Sequence, residues 1–195
     1  MKRSFFVWFL FILSVFSYAQ NGYKEYTWGM SVNQVRAIST DLEAEKVPEY
    51  SPFGDIARYA LMYLHYSDFV IKDFYSFPDP MKYESGIITK YLSKQNGLSF
   101  YFLSDRLVAV EIRFWMIGII SDLEHQNGKV NPISWLGGRN QTASWNKDTN
   151  RIIYWFSTGD TEWVTYIDKK WLAPLIDKAM EEYKRAQSNE RSRLD

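Results

Sequence analysis

Across the 195 residues there are two histidines, His65 and His125, and no cysteine. The missing thiols exclude disulfides, cysteine nucleophiles, Cys-ligated zinc and iron–sulfur clusters. Two imidazoles leave little for a metal site or for histidine acid–base work. Glu124-His125 is an adjacent acid–base pair, but a histidine at a predicted helix end interacts with the helix dipole or solvent more readily than with a substrate. His65, between Leu64 and Tyr66, reads as a strand residue with a satisfied ring. There is no Gly-x-Ser-x-Gly, His-Glu-x-x-His, phosphate-binding glycine loop or calcium loop, and Gly137-Gly138 is a turn rather than a phosphate cradle. Glycoside hydrolysis needs only two carboxylates. Glu111, Asp160 and Glu162 lie in or beside predicted strands, yet no spacing rule links them, and charges on a solvated sheet face are ordinary. The expectation is a protein that is not an enzyme and uses no cofactor and no metal.

Aromatic residues are the more informative group, with 8 Trp, 14 Tyr and 13 Phe. Trp135, Trp145, Trp155, Trp163 and Trp171 recur at intervals of eight to ten, which places one on nearly every successive element. Trp155, Trp163 and Trp171 are expected to build a core between sheet and helix. Trp135 and Trp145, beside loop residues, are candidates for an exposed surface where large rigid rings anchor a protein or stack on a sugar. Tyr101 and Trp115 alternate with Phe100 and Phe114, in the company of Arg113, and are candidates for the same surface.

The chain carries 23 basic and 23 acidic side chains, so no global charge favours nucleic acid or an anionic membrane. The amino end explains part of that balance. Lys2-Arg3, an uncharged hydrophobic run from Ser4 to Phe16, and the small residues of Ser17-Tyr18-Ala19 read as a secretory signal cleaved after Ala19. That run is short for a bilayer, which needs about 20 apolar residues, so no stable membrane span is expected after cleavage. The mature chain would have 21 basic and 23 acidic side chains, a net of −2, and keep 28 aromatics in 176 residues. It would be held together by packing alone, in the periplasm or outside the cell.

Within residues 20–187 a single domain is expected. Ser31 can cap a helix, with Gln34 three residues on to complete a capping box and Val32, Val35 and Ile38 on one face. Tyr59 to Phe77 reads as a hairpin broken near Ser67-Asp68. Phe77-Pro78-Asp79-Pro80 reads as a loop, and residues 81–94 are ambiguous between helix and loop. Leu98, Phe100 and Phe102, the turn Ser104-Asp105, and Val108, Val110, Ile112 and Phe114 form the clearest hairpin, its opposite face at Glu111 and Arg113 expected to be solvated. A second helix over 116–124 should end near Asn127-Gly128, with a glycine-bearing loop at Trp135-Leu136-Gly137-Gly138. Three short strands then follow, at 142–145, 151–157 and 162–168. A last helix begins near Lys170 with Pro174 in its first turn, and residues 188–195 read as a frayed polar tail. A helix followed by antiparallel strands occurs twice, which suggests two similar halves.

Gly29-Met30-Ser31-Val32-Asn33-Gln34-Val35 resembles the Gly-Met-Ser/Thr-x-x-Gln-Val motif that opens the first helix of small bacterial envelope proteins. These are the BamE (SmpA/OmlA) lipoproteins of outer-membrane assembly and the wider beta-lactamase-inhibitor-protein-like superfamily. The resemblance implies an α+β fold, an antiparallel sheet with helices packed on one face and two α-β-β repeats, and a role in protein binding rather than catalysis. The Leu-Gly-x-Pro that commonly follows in the BamE group is absent, as is its lipid-accepting cysteine. The expected function is non-catalytic binding of a protein partner in the bacterial envelope, with binding of envelope glycan or peptidoglycan through exposed tryptophans as the alternative and hydrolysis third.

Overall fold

The structure is a computed structural model that describes residues 21–45, 77–114, 118–130, 133–135, 140–145, 150–158 and 160–191, with the backbone alone at 133–135 and at positions 140, 187, 190 and 191. The expected hairpin over 59–77 lies outside these residues except for Phe77. The described chain begins with two-residue strands β1 (Gly22–Tyr23) and β2 (Tyr26–Thr27), followed by helix α1 (Val32–Ile38) and strand β3 (Leu42–Glu45). A 3-10 turn at Pro80–Tyr83 then leads into β4 (Ile88–Ser93), β5 (Leu98–Leu103) and β6 (Arg106–Phe114). Helix α2 (Ile119–Asn127) opens the second half, with β7 (Ile133–Trp135), β8 (Asn140–Trp145), β9 (Arg151–Ser157), β10 (Glu162–Asp168) and helix α3 (Lys169–Arg191).

Strands β3 to β10 form one eight-stranded sheet in the order β3-β4-β5-β6-β10-β9-β8-β7, and every pairing is antiparallel. Each half is therefore a helix leading into a four-stranded meander, and the last strands of the two meanders meet at β6–β10. This is an α+β protein with a large antiparallel sheet and, among the described residues, three helices.

Local chemistry accounts for the start of α1. The Ser31 hydroxyl accepts from the Gln34 amide at 3.3 Å, and the Gln34 side-chain oxygen accepts from the Ser31 amide at 2.8 Å. A third acceptor comes from far along the chain, Asp105 Oδ1, 2.9 Å from the Val32 amide. Asp105 can reach because it sits in the β5–β6 turn, where Ser104 and Asp105 both take positive φ, 48° and 66°, the turn whose twist matches a hairpin. Gly29, at φ +86°, lets the chain run beside the same hairpin. Its amide donates to the Leu107 carbonyl at 2.9 Å, and the Leu107 amide donates to the Met30 carbonyl at 2.8 Å. The Gly29-Met30-Ser31 motif is thus a latch between α1 and the hairpin.

Cross-strand register assigns the faces, because directly opposed residues project to the same side. On one face Tyr26 and Val35 pack with Phe100, Phe102, Leu107 and Val110, and Leu123 of α2 packs with Ala143, Trp145, Ile153, Trp155 and Val164. Tyr23 and Tyr166, with ring centroids 4.6 Å apart, join these two clusters. On the other face, Leu172, Leu175, Ile176, Ala179, Met180 and Tyr183 of α3 cover Tyr101, Ala109, Ile152, Tyr154 and Ile167. Helices on one face only is therefore corrected: α1 and α2 share a face and α3 takes the opposite one. The central strands are apolar on both sides, so each side needs a cover.

Other expectations are corrected too. The β5–β6 register shifts between Tyr101 and Phe102. That bulge moves Val108 into the α3 cluster and puts Leu107 on the Val110 side, so Val108 leaves the face that Val110, Ile112 and Phe114 keep. Strands β3, β4 and β7 were not expected. In β4, Ile88, Lys90 and Leu92 alternate with Thr89, Tyr91 and Ser93, and neither set is cleanly apolar. Trp135 ends β7 instead of opening a loop, and α3 continues through Arg191 rather than fraying at Ser188, whereas α2 ends at Asn127 as expected. Pro174 stands in the second turn of α3, on its exposed side. A strap from Phe77 to Gly86 fastens this helix. The Phe77 ring lies 5.4 Å from that of Tyr183. Glu182 accepts from Tyr83 and, at 2.6 Å, from Lys82. Glu84 accepts from the Trp171 indole at 2.7 Å.

Candidate functional site

The aromatic candidates separate into core, edge and surface. Trp145 is 5% exposed, and its indole donates to the Gly128 carbonyl at 2.8 Å, tying β8 to the end of α2. Tyr101 is 3% exposed beneath α3. Both are corrected from surface candidates to core residues, because α2 covers Trp145 and α3 covers Tyr101. Trp135 is the last residue of β7, opposite Asn140, with only its backbone described. Trp115 lies outside the described residues. Arg113 is exposed.

Arg113 faces Trp163 across β6–β10, and Trp163 faces Phe156 across β10–β9. The guanidinium carbon is 5.4 Å from the Trp163 ring centroid, and the Trp163 and Phe156 centroids are 5.2 Å apart at 33°. A cation over an indole is held by the ring quadrupole, worth about 0.5–1 kcal/mol near the surface. The row lies on the α3 side of the sheet. Phe156 touches the α3 cluster, and Trp163 stands beyond it, half-buried. Sequence reasoning placed Trp163 in the core because β10 is apolar on both alternating sets.

Glu111 occupies the next row on the same face, opposite Ser99 and Thr165. Its Oε1 accepts from the Tyr101 hydroxyl at 3.1 Å. Burial pushes its carboxyl above the ordinary glutamate range, against the pull of the nearby Lys90 charge. Lys90 itself pairs with Glu45 at 2.9 Å and lies 5.6 Å from the Tyr101 ring centroid. Burial, and then the Glu111 charge, push the Tyr101 hydroxyl strongly up. Glu111 is half-buried rather than fully solvated as expected, while Arg113 is solvated as expected.

The carboxylates considered for hydrolysis do not converge. Glu111 pairs with Thr165, three residues from Glu162, so Glu111 and Glu162 project to opposite faces. Glu162 is 1% exposed and accepts from the amides of Gly118 at 2.8 Å and Ile119 at 3.0 Å and from the Trp155 indole at 3.1 Å. It caps α2 from the neighbouring strand. Asp160 is exposed before β10. Glu124 accepts from the Val130 amide at 3.2 Å, and His125 is exposed in the last turn of α2. Asn140-Gln141-Thr142 matches a glycosylation acceptor pattern, but Thr142 is buried inside β8. Among the described residues no group of three His, Asp or Glu side chains could hold a metal ion, and no helix is long and apolar enough to cross a membrane. His65 and Gly137-Gly138 lie outside the described residues.

The fold and this row of side chains define a class: an α+β protein whose large antiparallel sheet carries a cation–aromatic row beside its terminal helix. No family model matches the chain, and neither a curated protein nor a solved structure matches it.

Proposed function

We propose that this is a secreted or periplasmic, non-catalytic binding protein that engages another protein of the bacterial envelope through the Arg113–Trp163–Phe156 row. The observation that carries the reading is Arg113, exposed, over the half-buried Trp163 ring. Arginine and tryptophan are the residue types that most often dominate protein interfaces. Three further points support it. Glu111 and Glu162 project to opposite faces, which counts against that pair acting together in hydrolysis. Each half runs helix then antiparallel meander, in keeping with the repeated α-β arrangement of beta-lactamase-inhibitor-protein-like proteins that the Gly29-Met30-Ser31 motif resembles. Among the described residues the first strand is Gly22–Tyr23, past the cleavage point expected after Ala19.

Crosslinking in envelope extract tests this reading. A protein captured by the wild type should be lost with Arg113→Glu and with Trp163→Ala, while circular dichroism and the unfolding midpoint stay close to wild type. Capture unchanged in both variants would overturn it. The Trp163–Phe156 pair also favours a second reading, a stacking platform for envelope glycan. Co-sedimentation with peptidoglycan that is lost on Trp163→Ala, without any protein captured, would select it.

A further inference from the structure

We draw no further inference here: the strongest candidate, the Glu111–Tyr101–Thr165 cluster on the α3 side of the sheet beside Lys90 and Glu45, adjoins the site already described and otherwise rests on the direction of one pKa, with nothing among the described residues to show a ligand for it.

Discussion

Burial raises the affinity of the Glu111 carboxyl for its proton, and the sign of the stability effect follows. A carboxyl whose pKa is higher folded than unfolded stabilises the fold fully below the unfolded value, about 4.3. That contribution is lost as pH rises through the folded value. Glu111→Gln keeps an acceptor for Tyr101 and cannot ionise. In denaturant unfolding, the variant should gain on the wild type as pH rises above the unfolded value, until the folded carboxyl has ionised. A difference that does not change with pH would contradict the burial of this carboxyl. Glu162 is a buried side chain met by three N–H donors. Glu162→Ala strands all three and should cost about 3 kcal/mol in the same measurement, whereas Glu162→Gln keeps one acceptor and should cost less.

Elements add constraints that single residues do not show. At the β5–β6 turn, Ser104 holds φ 48°, a conformation that costs a residue with a Cβ about 1 kcal/mol and glycine nothing. Ser104→Gly should therefore raise stability slightly, by up to about 0.5 kcal/mol, once the roughly 0.5–1 kcal/mol of entropy glycine adds to the unfolded chain is set against that strain. A loss would show that the Ser104 side chain contributes more than its backbone strain costs. At the β1–β2 hairpin the constraint is steric. A Cβ on Gly22 would stand 1.9 Å from the Tyr26 carbonyl oxygen, a backbone atom that cannot swing away. Gly22→Ala should open this hairpin, cost about 1–3 kcal/mol and weaken the Tyr23–Tyr166 contact that joins the two clusters beneath it.

Over the whole molecule, α3 decides whether the two meanders behave as one body. Its cluster takes Tyr101, Val108 and Ala109 from the first meander and Ile152, Tyr154 and Ile167 from the second. Neither meander can bury that face without the other, so unfolding should be a single transition. Five of the eight tryptophans, from Trp135 to Trp171, lie in the second half, whereas backbone circular dichroism reports both halves. The fluorescence and dichroism curves should superimpose, and a resolved earlier fluorescence transition would mean that the halves are separate domains.

What the chain determined by itself is the set of elements whose signals are local. The Ser31–Gln34 capping box needs contacts within one turn, and 151–157 and 162–168 are runs of aromatic and β-branched residues bounded by turn residues, so both strands were legible to the residue. The hairpin at Ser104-Asp105 was legible for the same reason. Tertiary structure alone decided which faces those strands bury, because a period of two separates two sets of side chains without saying what lies over either. It also paired β3, β4 and β7, whose mixed patterns become strands only beside a neighbour's hydrogen bonds. Of the candidate site, Arg113 was legible as an exposed charge. Tyr101 and Trp145 were not legible as core, nor Trp163 as surface, because each depends on where α3 and α2 come to rest, and a helix is placed by packing against distant residues rather than by its own sequence.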